Sequence, residues 1–476
     1  MVVGEMPEGV DLLVVGGGPG GYVAALAAAQ LGRKVMLVDS AGPAGLGGAC
    51  VNVGCIPSKA LIELANTVHG LESWSARGLQ TPKPPTVRMD EFQLWKAGVV
   101  GGLKDGVKQL LNHAGVDIRT GYFRFTRPDQ GAVEYGDAPP IHIKFASCVI
   151  ATGSRPMALP NLIRDGKRIL DSSDVLDLDV LPERIAIIGG GYIGVELGTA
   201  LAKLGTQVTI VEAADMILPS LGKTIATPVA RRLAQLGVDV KVKTLAEGDD
   251  GKVLMLKNST GETETLEVDY VVVSIGRTPN TDDLGLDALG ISTDERGMLT
   301  PGPDLLVTPR IAAIGDIIAG PALAHKASAE AHVAVEVLSG KTSVFDPASI
   351  PAVVFSDPEV ALTGLTLAEA KEHGIEAQVA AFPVAASGRA RTLNDSVGFV
   401  QWVHTVNGTI IGAQIVGPHA SEMIGEAALA IEMAANLEDV AETIHPHPTM
   451  SETLMEAAHV GLGTPIHIAP KQKVSR

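Results

Sequence analysis

Two stretches of the chain repeat one another without a gap: LLVVGGGPGGYVAALAAAQLGRKVMLVD at residues 12–39 and IAIIGGGYIGVELGTALAKLGTQVTIVE at residues 185–212. Each is an apolar run of strand length, a glycine cluster, an Ala/Leu-rich helical pattern closed by Gly32 or Gly205, and a second apolar run ending in an acid. Each copy therefore reads as a βαβ unit that holds a nucleotide. In Gly16-x-Gly18-x-x-Gly21 and Gly189-x-Gly191-x-x-Gly194 the first glycine allows the tight turn, the second admits a pyrophosphate close to the backbone, and the third lets the helix pack. The helix N-terminus then offers N–H groups and a positive dipole end to the phosphates. Asp39 and Glu212 each lie 18 residues past the third glycine, where a carboxylate accepts hydrogen bonds from ribose hydroxyls. One such motif is weak, since an ordinary tight turn has the same spacing; two in register favour two dinucleotide sites. At the second site Glu212 would repel a 2′-phosphate, which favours NAD over NADP.

The segments VIATGSRP (149–156) and VVVSIGRTPN (271–280) read as exits from the two units. They suggest a first domain over 1–152, a nucleotide domain over 153–275, a return to the first domain over 276–345, and a separate α+β domain over 346–476. No apolar run approaches the length that crosses a bilayer, so no membrane insertion is expected. The start, MVVGEMPEGVDLLVVGGG, has no basic stretch or separate apolar core of a secretory leader. A formal charge of −17 weighs against nucleic acid and suits either solubility or a basic partner protein.

Three cysteines in 476 residues make no secreted disulfide framework, so cytoplasmic localisation is expected. Two of them fall in GGACVNVGCIPSKAL, at what reads as the start of a helix. In a regular helix residues five apart have Cα atoms about 8–9 Å apart and point away from one another, beyond the ~7 Å limit of a disulfide. Cys50 and Cys55 can therefore bridge only where the segment is irregular, which Gly54 would permit. A helix N-terminus would also lower a thiol's pKa. The alternatives are two core cysteines or half of a metal site; no second cysteine pair or suitably spaced Cys/His cluster supports a metal, and none is expected. Cys148, inside the apolar run SCVIATG, reads as a buried strand residue.

Taken with ATGSRP, IGRTPN, AIGDIIAGPALAHKA and TIHPHPTMSE, these motifs resemble the disulfide-containing flavoprotein reductases, the class I pyridine nucleotide-disulfide oxidoreductases. The resemblance covers essentially the whole chain. It implies two Rossmann-like α/β domains for FAD and NAD and a C-terminal α+β dimerisation domain. It implies that the first glycine motif and Asp39 hold the adenosine end of FAD, with Lys59 near the flavin and paired with Glu196. Backbone around Phe123 and the run Thr152, Gly153 and Ser154 would add contacts. Asp316 would hold the ribityl or phosphate part, helped by Ala322, Leu323, Ala324 and His325. The second glycine motif, Glu212 and Gly276 would hold NAD, with Tyr192 over the nicotinamide pocket.

Within that family the nearest likeness is to the enzymes that oxidise protein-bound dihydrolipoamide to lipoamide and reduce NAD⁺. Cys50 and Cys55 would be the redox pair. His447 would be the acid/base, supplied across a homodimer interface and oriented by Glu452. Without a catalytic role, TMSE is also a capping box for the last helix, and Lys59 and Glu196 are solvated helix residues. His445 carries no assigned role, an ordinary turn histidine being sufficient. The partner would be a lipoyl-carrying acyltransferase of a 2-oxoacid dehydrogenase complex or a lipoyl carrier of glycine cleavage, because no lipoyl-type segment precedes the first strand. The rivals are another NAD(P)H-dependent disulfide reductase and a non-catalytic flavin redox sensor. Three positions depart from the family's habit: Asp39 where Glu is more usual, Ala49 where Thr is common, and Pro446 where Ala is usual between the two histidines.

Overall fold

The computed structural model describes residues 7–75, 77–80 and 85–469. Residues 1–6 and 470–476, on which the readings of the two chain ends partly rest, lie outside the described residues. The chain divides into two compact units, residues 1–181 with 272–346 and residues 182–271 with 347–476.

In the first unit the two apolar runs of the repeat become strands Glu8–Val15 and Val35–Asp39, paired in parallel. The sheet continues in parallel through Ile141–Ile150 and Ile311–Ala313 on one side and Asp117–Thr120 on the other. Its central strands are apolar without alternation because both faces are covered; Leu12, Leu13, Val14, Cys148, Val149 and Ile150 are all 0% exposed. Helix Pro19–Gln30 crosses from the first strand to the second. It approaches so closely that a Cβ on Gly21 would lie 1.8 Å from the Gly16 carbonyl oxygen, so the third glycine of the motif admits no side chain. An antiparallel pair, Tyr122–Arg127 and Gln130–Glu134, adds Phe123 and Phe125, whose rings meet edge to face at 4.8 Å.

Helix Ala324–Leu338 packs on helix Pro19–Gln30 and contains a buried ion pair, Lys326 to Glu330 at 2.7 Å. The second Glu330 oxygen accepts the Gly315 N–H at 2.7 Å. Burial pushes the Glu330 carboxyl up, and the Lys326 ammonium opposes the shift. The pair thereby ties the turn Gly315–Ile317, which carries Asp316, to a buried helix face.

The second unit opens with the other copy of the repeat. Strands Arg184–Ile188 and Gln207–Val211 are parallel, with Asp239–Lys241 beyond, and helix Tyr192–Lys203 connects the first two. A three-stranded antiparallel meander over 244–267 follows. From residue 352 the pattern changes to an antiparallel five-stranded sheet in the order Ala352–Val354, Val360–Gly364, Ile410–Val416, Phe399–Thr405, Ala377–Pro383. Helices Ala420–Glu432 and Glu452–Gly461 pack against it. This is the α+β arrangement expected for the C-terminal part. A partly buried ion pair, Lys203 to Asp357 at 2.7 Å, connects the nucleotide-type helix to the turn between the first two strands of this sheet. Among the described residues, no helix is long and apolar enough to cross a membrane.

The largest fully buried side chain is Trp402, whose Nε1–H donates to the Leu454 carbonyl at 2.9 Å and so fastens helix Glu452–Gly461 to the sheet. Trp402→Ala is expected to lower the stability of this unit by about 3–5 kcal/mol, from the cavity and the lost donor together. Urea unfolding followed by circular dichroism measures it, and a change below about 1 kcal/mol would contradict this packing role.

Candidate active site

The helix expected to carry both cysteines is two helices. Gly48–Asn52 ends at Val53, whose backbone leaves the helical region (φ −140°, ψ 12°), and a new helix, Cys55–Ser75, starts at the second cysteine. The regular separation of residues five apart no longer applies, and the Cys50 thiol is hydrogen-bonded to Cys55. Gly54 makes the break possible, since a Cβ there would stand 2.9 Å from the Ala49 carbonyl oxygen. The Cys50 thiol is pushed up, first by its hydrogen bond to Cys55, then by burial and by charge on Cys55, while Lys59 opposes the shift. The lowered thiol pKa expected of a helix N-terminus is therefore not found at Cys50. Cys55 is the residue at a helix start, where the dipole favours negative charge. Lys59 lies one turn further along the same helix.

Two more groups share this environment. Asp316 pushes the Cys50 thiol up. Tyr22, immediately after the third glycine, has its phenol pushed up by burial and then by Cys50. The Asp316 carboxylate accepts from Ser154 Oγ at 2.5 Å, and Ser154 Oγ accepts from Arg277 Nε at 2.7 Å. Thr152 Oγ1 donates to the Asn280 carbonyl at 2.6 Å, so the run Thr152–Ser154 is stitched to the segment 277–280. Gly153 and Gly276 both have positive φ, +68° and +141°. Ala322 and Leu323 lead into helix Ala324–Leu338, which includes His325 and has no side-chain cap at its N-terminus. Phe123 has its ring in the core, leaving its backbone at the sheet edge.

The two glycine loops are braced alike. Asp39 accepts the Gly17 N–H at 2.8 Å on one oxygen and the Ala41 N–H at 2.9 Å on the other. Glu212 accepts the Gly190 N–H at 2.6 Å and the Ala214 N–H at 2.7 Å. In each copy the acid bonds the middle residue of the glycine cluster and the residue two beyond itself. The shorter Asp39 completes the same brace as the longer Glu212. Each oxygen keeps a lone pair for a ribose hydroxyl. Gly18 and Gly191 are the N-caps of helices Pro19–Gln30 and Tyr192–Lys203; neither helix has a side-chain cap, which leaves its N-terminus to a phosphate. These features fit a dinucleotide in each copy.

In the second unit Glu196 is 4% exposed, and one oxygen accepts the Phe355 N–H at 2.9 Å. It is not a solvated helix residue. His447 lies on the loop before helix Glu452–Gly461, with its side chain 74% exposed and Nδ1 2.8 Å from Glu452 Oε1. Glu452 Oε2 accepts the Thr449 N–H at 2.8 Å. This is half of the capping box that TMSE suggests. The other half is missing: the N-cap is Ser451, and Thr449 Oγ1 donates to the Pro446 carbonyl instead. One carboxylate thus holds both the loop and the imidazole. With Nδ1–H donated to Glu452, Nε2 is left as the acceptor, the arrangement a general base needs.

The family model described as pyridine nucleotide-disulphide oxidoreductase matches residues 10–331, and its dimerisation domain matches residues 350–458. A dihydrolipoyl dehydrogenase of Geobacillus stearothermophilus is 48% identical over 99% of this chain and 100% of its own length. That of Bacillus subtilis is 46% identical over 98% and 100%. Among solved structures, LpdA from Mycobacterium tuberculosis superposes with a TM-score of 0.87 at 27% identity, covering 94% of this chain and 99% of that one. The HOCl-induced flavoprotein disulfide reductase RclA from Escherichia coli, as its Cu(II) complex, gives 0.84 at 27% identity over 96% and 100%.

The thiol geometry makes a direct prediction. After mild oxidation and denaturation, thiol titration of the chain is expected to find one free thiol, Cys148, against three after reduction. Three thiols after oxidation would contradict pairing of Cys50 with Cys55.

Proposed function

The chain belongs to the pyridine nucleotide-disulphide oxidoreductase family, and from that premise we propose that it oxidises protein-bound dihydrolipoamide to lipoamide with FAD, reducing NAD⁺ to NADH. The observation that carries this reading is the hydrogen-bonded Cys50–Cys55 pair at a helix break. The substrate follows the relatives named dihydrolipoyl dehydrogenase, which match over their full length.

The chemistry begins from the Cys50–Cys55 disulfide. A dihydrolipoyl thiol loses its proton to His447 Nε2, and its sulfur attacks Cys50 Sγ. Cys55 Sγ leaves as a thiolate, its charge held at the start of helix Cys55–Ser75. The second lipoyl thiol then passes its proton to the departing Cys50 as its sulfur attacks the first; Cys50 leaves with the electron pair of the mixed disulfide, and lipoamide is released. The base matters because an unperturbed thiol, with a pKa of roughly 8.5, is mostly protonated at neutral pH. Bound FAD would take the electron pair from the dithiol and deliver it to NAD⁺ as a hydride. Lys59, one turn beyond Cys55, serves the flavin side of the pair, and the buried Glu196 carboxylate is held by the Phe355 N–H.

FAD is held by Gly16, Gly18, Gly21 and Asp39, by Thr152–Ser154, and by Asp316 with the helix start at 322–325. NAD is held by Gly189, Gly191, Gly194, Glu212 and Gly276; the Glu212 carboxylate favours it over NADP. The segments 1–152 and 276–345 serve FAD, 153–275 serves NAD, and 346–476 forms the dimer interface. His447 acts in trans. The exposure of its ring and the 95% exposure of neighbouring Ile444 support burial of this loop in a second subunit, as does the match to the family's dimerisation domain. The partner is a lipoyl-carrying acyltransferase or lipoyl carrier protein in the cytoplasm, where so few cysteines are at home.

Purified protein is expected to reduce NAD⁺ with dihydrolipoamide and to be inert with NADP⁺ or with glutathione. His447→Gln is expected to lower this turnover by about 10²–10⁴-fold with FAD retained. Parental turnover in that variant would remove His447 from the reaction, and no turnover in the parent would remove dihydrolipoamide as substrate.

A further inference from the structure

Two residues before His447 lies a second histidine paired with a carboxylate, in a different setting. The His445 side chain is only 4% exposed. Its Nδ1 is 2.8 Å from the Thr443 carbonyl oxygen and its Nε2 is 2.7 Å from Glu426 Oε1, on helix Ala420–Glu432. A carbonyl oxygen only accepts, so Nδ1 carries a hydrogen. At 2.7 Å from a carboxylate oxygen, a hydrogen also lies between Nε2 and Oε1. Both ring nitrogens are engaged, so His445 has none to offer a substrate.

We propose that the His445–Glu426 pair is a positioning device for His447, fixing the upstream end of its loop to helix Ala420–Glu432 as Glu452 fixes the downstream end to helix Glu452–Gly461. This inference rests on the dihydrolipoamide reading above. Two observations give the device its purpose. A cavity of about 430 Å³ is lined by Glu422, Met423 and Glu426 of the first helix together with Pro448–Ser451, so close packing does not fill all the space between helix and loop on that side. The link between the two histidines is the single residue Pro446, whose ring holds φ near −65°. A short stiff link transmits the placement of His445 to His447, which gives the departure from alanine at 446 a physical role.

The test uses the FAD-loaded protein and three variants: Glu426→Ala, His445→Ala and the double substitution. Glu426 is 38% exposed on a helix surface, so its truncation leaves folding intact even if the buried His445 does not tolerate change. Two rates are read. One is NAD⁺ reduction by dihydrolipoamide; the other is NADH oxidation by a quinone dye, which uses the flavin and bypasses His447. Each single substitution is expected to lower kcat for dihydrolipoamide by about 10–100-fold, the cost of a misplaced reacting group. KM and quinone reduction should stay within about twofold, and the double variant should fall no further than the worse single one. Parental kcat in Glu426→Ala overturns the proposal, as does a parallel loss of quinone reduction or multiplication of the two effects. A parent protein inactive with dihydrolipoamide but active with the quinone would overturn the substrate reading instead.

Discussion

The break between Asn52 and Cys55 is the constraint on which the chemistry depends. An uninterrupted helix would turn the two thiols to different faces and leave each with an unrelated environment. The interruption brings Cys50 into a hydrogen bond with Cys55 and places Cys55 at the head of a 21-residue helix. The two sulfurs are thereby made unequal. Cys50 holds its proton more firmly because Cys55 is beside it, whereas Cys55 has a helix dipole behind it. A pair in which one sulfur receives attack and the other accommodates charge is what a thiol-to-flavin relay requires.

The chain uses one device twice, once in each unit. An acid at the end of the second strand binds the backbone of the glycine cluster, so the turn is rigid before any nucleotide arrives. Preorganisation of this kind matters because association otherwise spends binding energy on ordering the loop. A similar logic governs Glu452, one carboxylate that fixes both the imidazole and the backbone of its loop. In each case a carboxylate is valuable for holding two things at once, and Asp serves as well as Glu where the backbone geometry allows.

The overall architecture was readable in advance because it is written in contiguous segments: two gapless βαβ copies, then a change of pattern near residue 350. The need for irregularity between Cys50 and Cys55 was also readable, from spacing alone. The side-chain environment was not. Arg277 reaches Ser154 across 123 positions, and the Phe355 N–H reaches Glu196 across 159, distances over which no local pattern carries information. Tyr22 stood next to a recognised glycine, but its proximity to Cys50 depends on how helix Pro19–Gln30 meets a segment some thirty residues later. His445 looked like a turn histidine because its partner, Glu426, is on another helix. The upward push on the Cys50 thiol escaped for the same reason, since it arises from a neighbour that only the broken helix supplies.

In the proposed reaction the cysteine pair stores an electron pair between substrate and flavin. Anaerobic reduction of the FAD-loaded protein, followed by flavin absorbance, tests it most directly. The parent should take up two electron pairs per subunit, one in the Cys50–Cys55 disulfide and one in the flavin, and a Cys55→Ser variant only one. Uptake of a single pair by both proteins would rule out the Cys50–Cys55 disulfide as an electron store.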